Sequence, residues 1–325
     1  MSYSFFGTCA NDKKHLFGCL KTILNQSLLP KEIVLIDSGK NNIEKKILKL
    51  ISHTKIKLIY IFEDLSRVTA LNKAIKKTSA DYLIRFDTRT RFSNNYAEKS
   101  LDIMKNQQKK FVGGVPFVIP ESKKPISLIC SGIMSRAYIF LYPRHRIPEF
   151  NGFSSSVYLG CFDSKILKET LYSEEISLIS EDSLLATNLK RKGYPPYISE
   201  KIKLNYVSRG SLINIFKLFN TYGFCRANTI IEYKKLHSFG RYFFALTLLI
   251  IFLIFVPVSF LNKIFLIPLL VLIYNIFNEI VYKSQNTNLI YPFLALICQA
   301  SWILGFIYGF ILCFSIDKKK SNFIS

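Results

Sequence analysis

The sequence has no C-x-x-C pair, and its seven cysteines (Cys9, Cys19, Cys130, Cys161, Cys225, Cys298, Cys313) are scattered and odd in number. That argues against a disulfide framework or a zinc site and for reduced, mostly structural thiols. The N-terminus lacks a basic segment followed by an apolar run and a cleavage site. No signal peptide is evident, so the first ~240 residues are expected to remain in the cytoplasm. Internal repeats and low-complexity linkers are also missing. Acidic residues are few, 22 against 44 Lys and Arg, giving a formal net charge of +22. An excess of this size points to nucleic acid, anionic lipid or an anionic small molecule. No recognised nucleic-acid module accompanies it, which argues against nucleic acid and leaves lipid headgroups as the economical partner.

Apolar residues are plentiful, 50% of the 325 positions, and they are unevenly placed. Beyond Arg241 come three long apolar stretches, FFALTLLIIFLIFVPVSFL, IFLIPLLVLIYNIFNEIVY and LIYPFLALICQASWILGFIYGFILCF. Each has the roughly 20 residues that a bilayer span needs, and three in succession argue against buried helices of a soluble protein. We therefore expect two to three transmembrane helices over 241–316 and a basic tail over 317–325. Residues 211–240 mix bulky apolar side chains with Lys217, Arg226, Lys234 and Lys235, as in an amphipathic helix lying on a membrane surface. Three full spans would leave the D-K-K-K tail outside, against the positive-inside tendency. A re-entrant hairpin around Pro257 and Asn262-Lys263 would resolve this, as would a tolerated short tail. The spans carry few polar groups beyond Asn275, Asn278 and Glu279, which makes a transporter or channel a weak reading.

Residues 1–210 alternate strand and helix signals at their start. Strands are expected at 3–6, 32–36, 57–62 and 82–86, and helices at 15–25, 43–51 and 67–77. This alternation predicts an α/β layer with a mostly parallel sheet. Between 111 and 160, Gly113-Gly114 and several prolines, Pro116 among them, break the pattern, and 128–141 reads as a core or interfacial helix too short to span. In open parallel sheets, ligands sit beyond the carboxyl ends of the strands. Asp37 and Asp87 both fall at such ends. Taken singly, each acidic residue has a plain structural use. Asp37 before Ser-Gly can make a turn, Asp87 can cap the segment after it, and Glu181-Asp182 can fill the first turn of a helix capped by Ser180.

Their order is more specific. T-C-A-N-D at 8–12, Gln26, E-I-V-L-I-D-S-G at 32–39, A-L-N-K-A-I at 70–75, A-D-Y-L-I-R-F-D at 80–87, E-D at 181–182 and R-K-G-Y at 191–194 resemble family 2 glycosyltransferases. V-Y-L-G-C-F at 157–162, S-E-D at 180–182, Y-V-S-R-G-S-L at 206–212 and Y-G-F-C-R-A at 222–227 are similar to the succinoglycan-type branch, which also carries C-terminal spans. The resemblance implies a GT-A fold over 1–210, inverting transfer from a nucleotide-sugar, and a polyprenyl-diphosphate-linked saccharide as acceptor in surface-polysaccharide assembly. It places the multi-pass protein in the cell (inner) membrane with its catalytic domain in the cytoplasm. Asp182, with Glu181 beside it, would be catalytic, Asp182 as the base. Thr8, Asn11, Asp37, Ser38, Asn72, Asp87, Arg89 and Arg209 would surround the nucleotide-sugar, Asp37 at base and ribose. Asp87 would hold a divalent cation, Mg²⁺ or Mn²⁺. Such chemistry needs a carboxylate to take the acceptor's proton and positive charge on the leaving diphosphate.

The sequence departs from the family in places. Thr8 stands where proline is common and Asp12 where glutamate is common. D-x-D reads Asp87-Thr88-Arg89, so its second carboxylate is missing. Arg89, Arg85 or Arg91 would then bring positive charge to the diphosphate directly, or else form a solvated basic loop. Q-x-x-R-W is absent, which favours transfer of one sugar over chain extension. The contrasting reading is a catalytically silent membrane subunit that keeps the fold. Arg89 supports it, and retention of Asp37, Asp87 and Asp182 opposes it.

Overall fold

The computed structural model describes residues 1–10, 12–136, 147, 149–174, 181–233, isolated positions between 254 and 270, and 290–321. The chain divides into two units, one of Met1–Ile119 and Pro143–Ser208, the other of Pro120–Tyr142 and Arg209–Ser325.

The first unit opens with alternating elements: β1 (Tyr3–Cys9), α1 (Lys13–Leu24), β2 (Glu32–Asp37), α2 (Glu44–Ile51), β3 (Lys57–Phe62), α3 (Arg67–Lys77) and β4 (Tyr82–Phe86). After them come β5 (Thr90–Phe92), α4 (Tyr96–Asn106) and β6 (Phe111–Ile119). The unit is completed by β7 (Gly152–Phe153), β8 (Cys161–Asp163), α6 (Ser164–Thr170), α7 (Glu181–Arg191) and β9 (Tyr197–Val207). The label α5 belongs to Pro125–Arg136 in the second unit.

One sheet runs in the order β3-β2-β1-β4-β8-β6-β9-β5, with β7 also on β9. β1–β4 are mutually parallel, as are β6 and β9. β8 runs antiparallel between β4 and β6, and β5 and β7 run antiparallel to β9.

All six residues of β2 are buried, as a strand covered on both faces requires. Its alternation divides the core. Ile33 and Leu35 join Phe5, Leu16, Leu20 and Phe86 on one face. Val34 and Ile36 join Phe6, Leu71, Ile75 and Leu185 on the other. Each such side chain, fully buried, contributes about 1.5–3 kcal/mol. Glu32 at the entry of β2 is also wholly buried. Its carboxylate accepts from Ser4 Oγ at 2.9 Å, Ser79 N at 2.5 Å and Ser79 Oγ at 3.0 Å, tying β2 to β1 and to the loop before β4. Glu32→Ala strands those donors and is expected to cost about 3 kcal/mol, read as a lower midpoint in urea or thermal melts. An unchanged midpoint would mean that water replaces the carboxylate.

The expected strand and helix positions up to residue 86 hold to within a few residues. The break read at Gly113-Gly114 and Pro116 is corrected: these residues lie inside β6. Pairing to β8 stops at Val112, so at Pro116 the strand has β9 alone as neighbour, and a missing N–H is tolerated there. The register shifts between Gly113 and Val115, and a Cβ on Gly114 would lie 1.8 Å from the Ile202 carbonyl oxygen, so no larger residue fits that crossing.

The second unit holds α5, α8 (Leu212–Tyr233) and α9 (Ile290–Ser321). Residues Pro120–Tyr142, α5 included, thus group with the C-terminal helices, where a linear division at 210 would leave them in the first unit. α8 and α9 meet backbone to backbone. A Cβ on Gly223 would come within 1.9 Å of Trp302 O, and one on Gly305 within 2.0 Å of Asn220 O. Asn220 Nδ2 donates to Ser301 O at 3.2 Å and Ser301 Oγ to Phe216 O at 2.8 Å, sealing a contact in which small residues admit close approach. The first two apolar stretches lie almost wholly outside the described residues, as do parts of the third. Among the described residues no helix is long and apolar enough to cross a membrane.

Candidate active site

The carboxyl ends of β1, β2 and β4 carry the acidic residues picked out in the sequence. Asp37 closes β2 and is fully buried. Its Oδ2 accepts from Tyr60 OH at 2.6 Å and pairs with Lys13 Nζ at 2.9 Å, and its Oδ1 accepts from Gly39 N at 2.9 Å. Burial and the bond to Asp37 push the Tyr60 hydroxyl upward, so it remains a donor. Ser38 N donates to Cys9 O at 2.8 Å, and Ser38 Oγ accepts from Leu65 N at 3.4 Å, fixing the turn against β1 and the start of α3. Thr8, half-buried, sits opposite Ile36 near the end of β1.

A second cluster surrounds Asp87, just past β4. Arg67 bridges two carboxylates, with Nη2 3.0 Å from Asp87 Oδ2 and Nε 2.9 Å from Glu181 Oε1. Arg85 lies behind it, buried, with Nη2 2.8 Å from Glu181 Oε1 and 3.6 Å from Asp87 Oδ1. Its Nη1 donates to Tyr172 OH at 3.0 Å, and the guanidinium carbon lies 5.3 Å from the Tyr172 ring centre. Burial alone would raise both carboxyls, but the two arginines outweigh it and hold Glu181 and Asp87 below the usual carboxylate range. Burial pushes the Tyr172 phenol up to about 12.

Residues 5–159 match the model of the family described as Glycosyl transferase family 2. This segment is similar to family 2 glycosyltransferase domains. No curated protein matches the chain. Among solved structures, the mannosyltransferase PcManGT from Pyrobaculum calidifontis, in complex with GDP-Man and Mn²⁺, shares the GT-A fold. Its TM-score is 0.50 at 13% identity, over 70% of this chain and 64% of that one. TarS of S. aureus aligns with a TM-score of 0.48 at 12% identity, over 71% of this chain and 40% of that one. Its 1–349 fragment in complex with UDP-GlcNAc gives 0.47 at 13%, over 71% and 67%. The chain thus spans less than two thirds of the mannosyltransferase and of full-length TarS.

Within the matched segment and just beyond it, the structure shows what holds each expected site residue. Glu181, expected beside Asp182 as catalytic, is buried with its carboxylate held by the Arg67 and Arg85 guanidiniums. Asp182, next to it in the first turn of α7, is half-buried, and its Oδ1 accepts from Ser183 N at 2.7 Å. Asn72 was expected at the nucleotide-sugar, but it is buried with both ends of its amide engaged. Nδ2 donates to Tyr172 O and Glu174 Oε1 at 2.8 Å each, and Oδ1 accepts from Tyr172 N at 2.8 Å. It holds the Tyr172 segment against α3. Arg89, expected at the diphosphate, donates from Nε to Asp12 Oδ2 at 2.6 Å and from Nη1 to Ser208 O at 2.9 Å. Gln26 likewise serves structure, joining the Thr22 and Ser93 carbonyls to Ala97 N. Asn11 and Ser180 lie outside the described residues, and Arg209 belongs to the second unit.

The cation role given to Asp87 does not fit its surroundings. Both oxygens of its carboxylate face guanidiniums, and the second carboxylate of D-x-D is Arg89, turned to Asp12. No three His, Cys, Asp or Glu side chains converge to hold a metal among the described residues. A divalent cation placed on this lone carboxylate would stand against two like charges at contact range.

Sequence reasoning missed Arg67, Tyr172, Lys13 and Tyr60. For Arg67 a signal existed. Ser66 caps α3, its Oγ accepting from Thr69 N at 3.2 Å, and Arg67 is then the first helical residue. A cation at the positive end of a helix is unfavourable unless acids face it.

Proposed function

We propose that the chain is a membrane-anchored, inverting glycosyltransferase that transfers a single sugar from a nucleotide-sugar, UDP being the favoured nucleotide, to a lipid-linked saccharide at the cytoplasmic face. Surface-polysaccharide assembly is the pathway in this reading. The observation that carries it is that Asp37 and Asp87 stand at the carboxyl ends of β2 and β4, with Asp182 in the first turn of α7 beside Glu181, within and just beyond a family 2 match. The solved mannosyltransferase of similar fold, in complex with GDP-Man, agrees with a nucleotide-sugar donor. The lipid-side reading rests on the three long apolar stretches of the sequence beyond Arg241 and on its basic excess. The absence of Q-x-x-R-W favours one transfer over polymerisation.

In this reading Asp37 receives the donor's ribose hydroxyls, with Lys13, 21% exposed, as the partner that moves aside. Asp182 takes the proton of the acceptor hydroxyl as it attacks the anomeric carbon. Asp37→Asn is expected to weaken nucleotide binding by about tenfold or more, since a bond to a charged group is worth ~1.5–3 kcal/mol, with the thermal midpoint still showing a folded protein. Titration calorimetry with UDP measures it, and an unchanged Kd would remove Asp37 from the site.

The direct test is transfer of labelled sugar from a panel of UDP-sugars into lipid of native membranes. A product that moves with the lipid and is missing with Asp182→Asn supports the reading. The arginine pair on Asp87 favours the silent-subunit reading instead, and failure of every donor in membranes containing the native acceptors would decide for it.

A further inference from the structure

Arg67 is nearly half exposed, 46% of its side chain, and unlike Arg85 it can move without unpacking the core. Its Nε and Nη2 are taken by Glu181 and Asp87, while Nη1 donates to no group among the described residues. It also stands at the N-terminus of an eleven-residue helix, whose partial positive charge favours an anion. Behind it, Arg85 touches the same two carboxylates, so neither acid is stranded if Arg67 turns away. Arg85 Nε is itself a buried donor with no partner among the described residues.

We propose that Arg67 is the ligand of the donor's diphosphate, and that this site binds and activates its nucleotide-sugar without a divalent cation. The inference rests on the glycosyltransferase reading above. The local charge balance supports it. Arg67 and Arg85 each touch both Asp87 and Glu181, with Asp182 the further acid near Arg85, so an added divalent cation finds Asp87 already shared between two guanidiniums. A diphosphate, in contrast, presents oxygens that match the guanidinium fork. Arg67 would exchange a carboxylate for the diphosphate while Arg85 keeps Asp87 and Glu181 paired. In transfer, the bond between the anomeric carbon and the β-phosphate oxygen breaks, and its electron pair goes to that oxygen beside Arg67. The acceptor hydroxyl forms the new bond to the anomeric carbon, and its proton goes to Asp182.

The test is titration calorimetry of the full chain in detergent with UDP, GDP, CDP, ADP and dTDP, in EDTA and then in Mn²⁺. We expect the nucleotide that binds to do so with a Kd within about twofold in the two conditions. Arg67→Ala should weaken it about 10- to 100-fold, Arg67→Lys should recover part of the loss, and the matching nucleoside without phosphates should bind both proteins alike. Arg67→Gln, closer in shape, replaces Arg67→Ala if the latter fails to fold. Binding lost in EDTA and restored by Mn²⁺ would overturn the inference and leave the glycosyltransferase reading standing, as would unaltered binding by the Arg67 variants. No binding of any nucleotide in either condition would overturn both.

Discussion

Asp182→Asn is expected to lower sugar transfer by about 10²- to 10⁴-fold, the range of a lost general base, with nucleotide binding and thermal midpoint near those of the parent. The reason lies in how one turn of helix separates two adjacent acids. Glu181 points into the sheet, where burial and two arginines fix it as a permanent anion. Its proton affinity is too low to serve an acceptor hydroxyl, and no acceptor can reach it. Asp182, one residue on, stands half-exposed in the same first turn, where helical N–H groups favour a negative side chain. An amide in its place keeps the shape and can still bond to Ser183 N through its oxygen, but it cannot take a proton. The loss should therefore fall on kcat at saturating donor, with KM for the donor little changed. A variant with the parent's kcat would remove Asp182 from the reaction.

How much of this could be read beforehand depends on the kind of signal. β2 was legible because a strand buried on both faces writes itself as an unbroken apolar run, E-I-V-L-I-D, that ends on the residue of interest. β4 and α3 were legible for similar reasons. The antiparallel half was not. β7 and β8 have two and three residues, too short for any periodicity. β9 reads Y-I-S-E-K-I-K-L-N-Y-V with exposed Glu200, Lys201 and Lys203, and β6 contains two glycines and a proline that only its particular neighbours accommodate. In the site, the acids were visible because they fall at strand ends. Their partners were not, because an ion pair such as Arg67 with Glu181 joins residues 114 positions apart and leaves no local pattern. Thus the chemistry of Asp87 was read as a cation ligand from its motif, while the side chains around it come from α3 and β4.

Removing Arg85 tests that cluster by stability. Arg85→Met keeps most of the side-chain volume, withdraws the buried charge, and leaves Glu181, Asp87 and Tyr172 each short of a partner. Breaking a buried pair from one side costs about 3–5 kcal/mol, so a large fall in the urea midpoint is expected. The pH dependence separates an ionic cause from a packing one. In the parent, Glu181 and Asp87 have folded-state pKa values below their unfolded ones, so the stabilisation is fully present above the unfolded carboxylate range, about pH 4–4.5. It is lost as pH falls through the folded values. In the variant, burial is opposed by Arg67 alone, so the Glu181 carboxyl shifts upward and the folded state is helped by taking up a proton. The gap in stability between parent and variant should therefore be widest near neutral pH and narrow as the pH drops below about 5. The ionic part of the gap should close only below the folded-state pKa values of the parent's two acids. A gap of the same size at pH 8 and pH 3 would mean that Arg85 acts by filling space beneath Tyr172, and that the charge pairing at Asp87 contributes little to holding the site together.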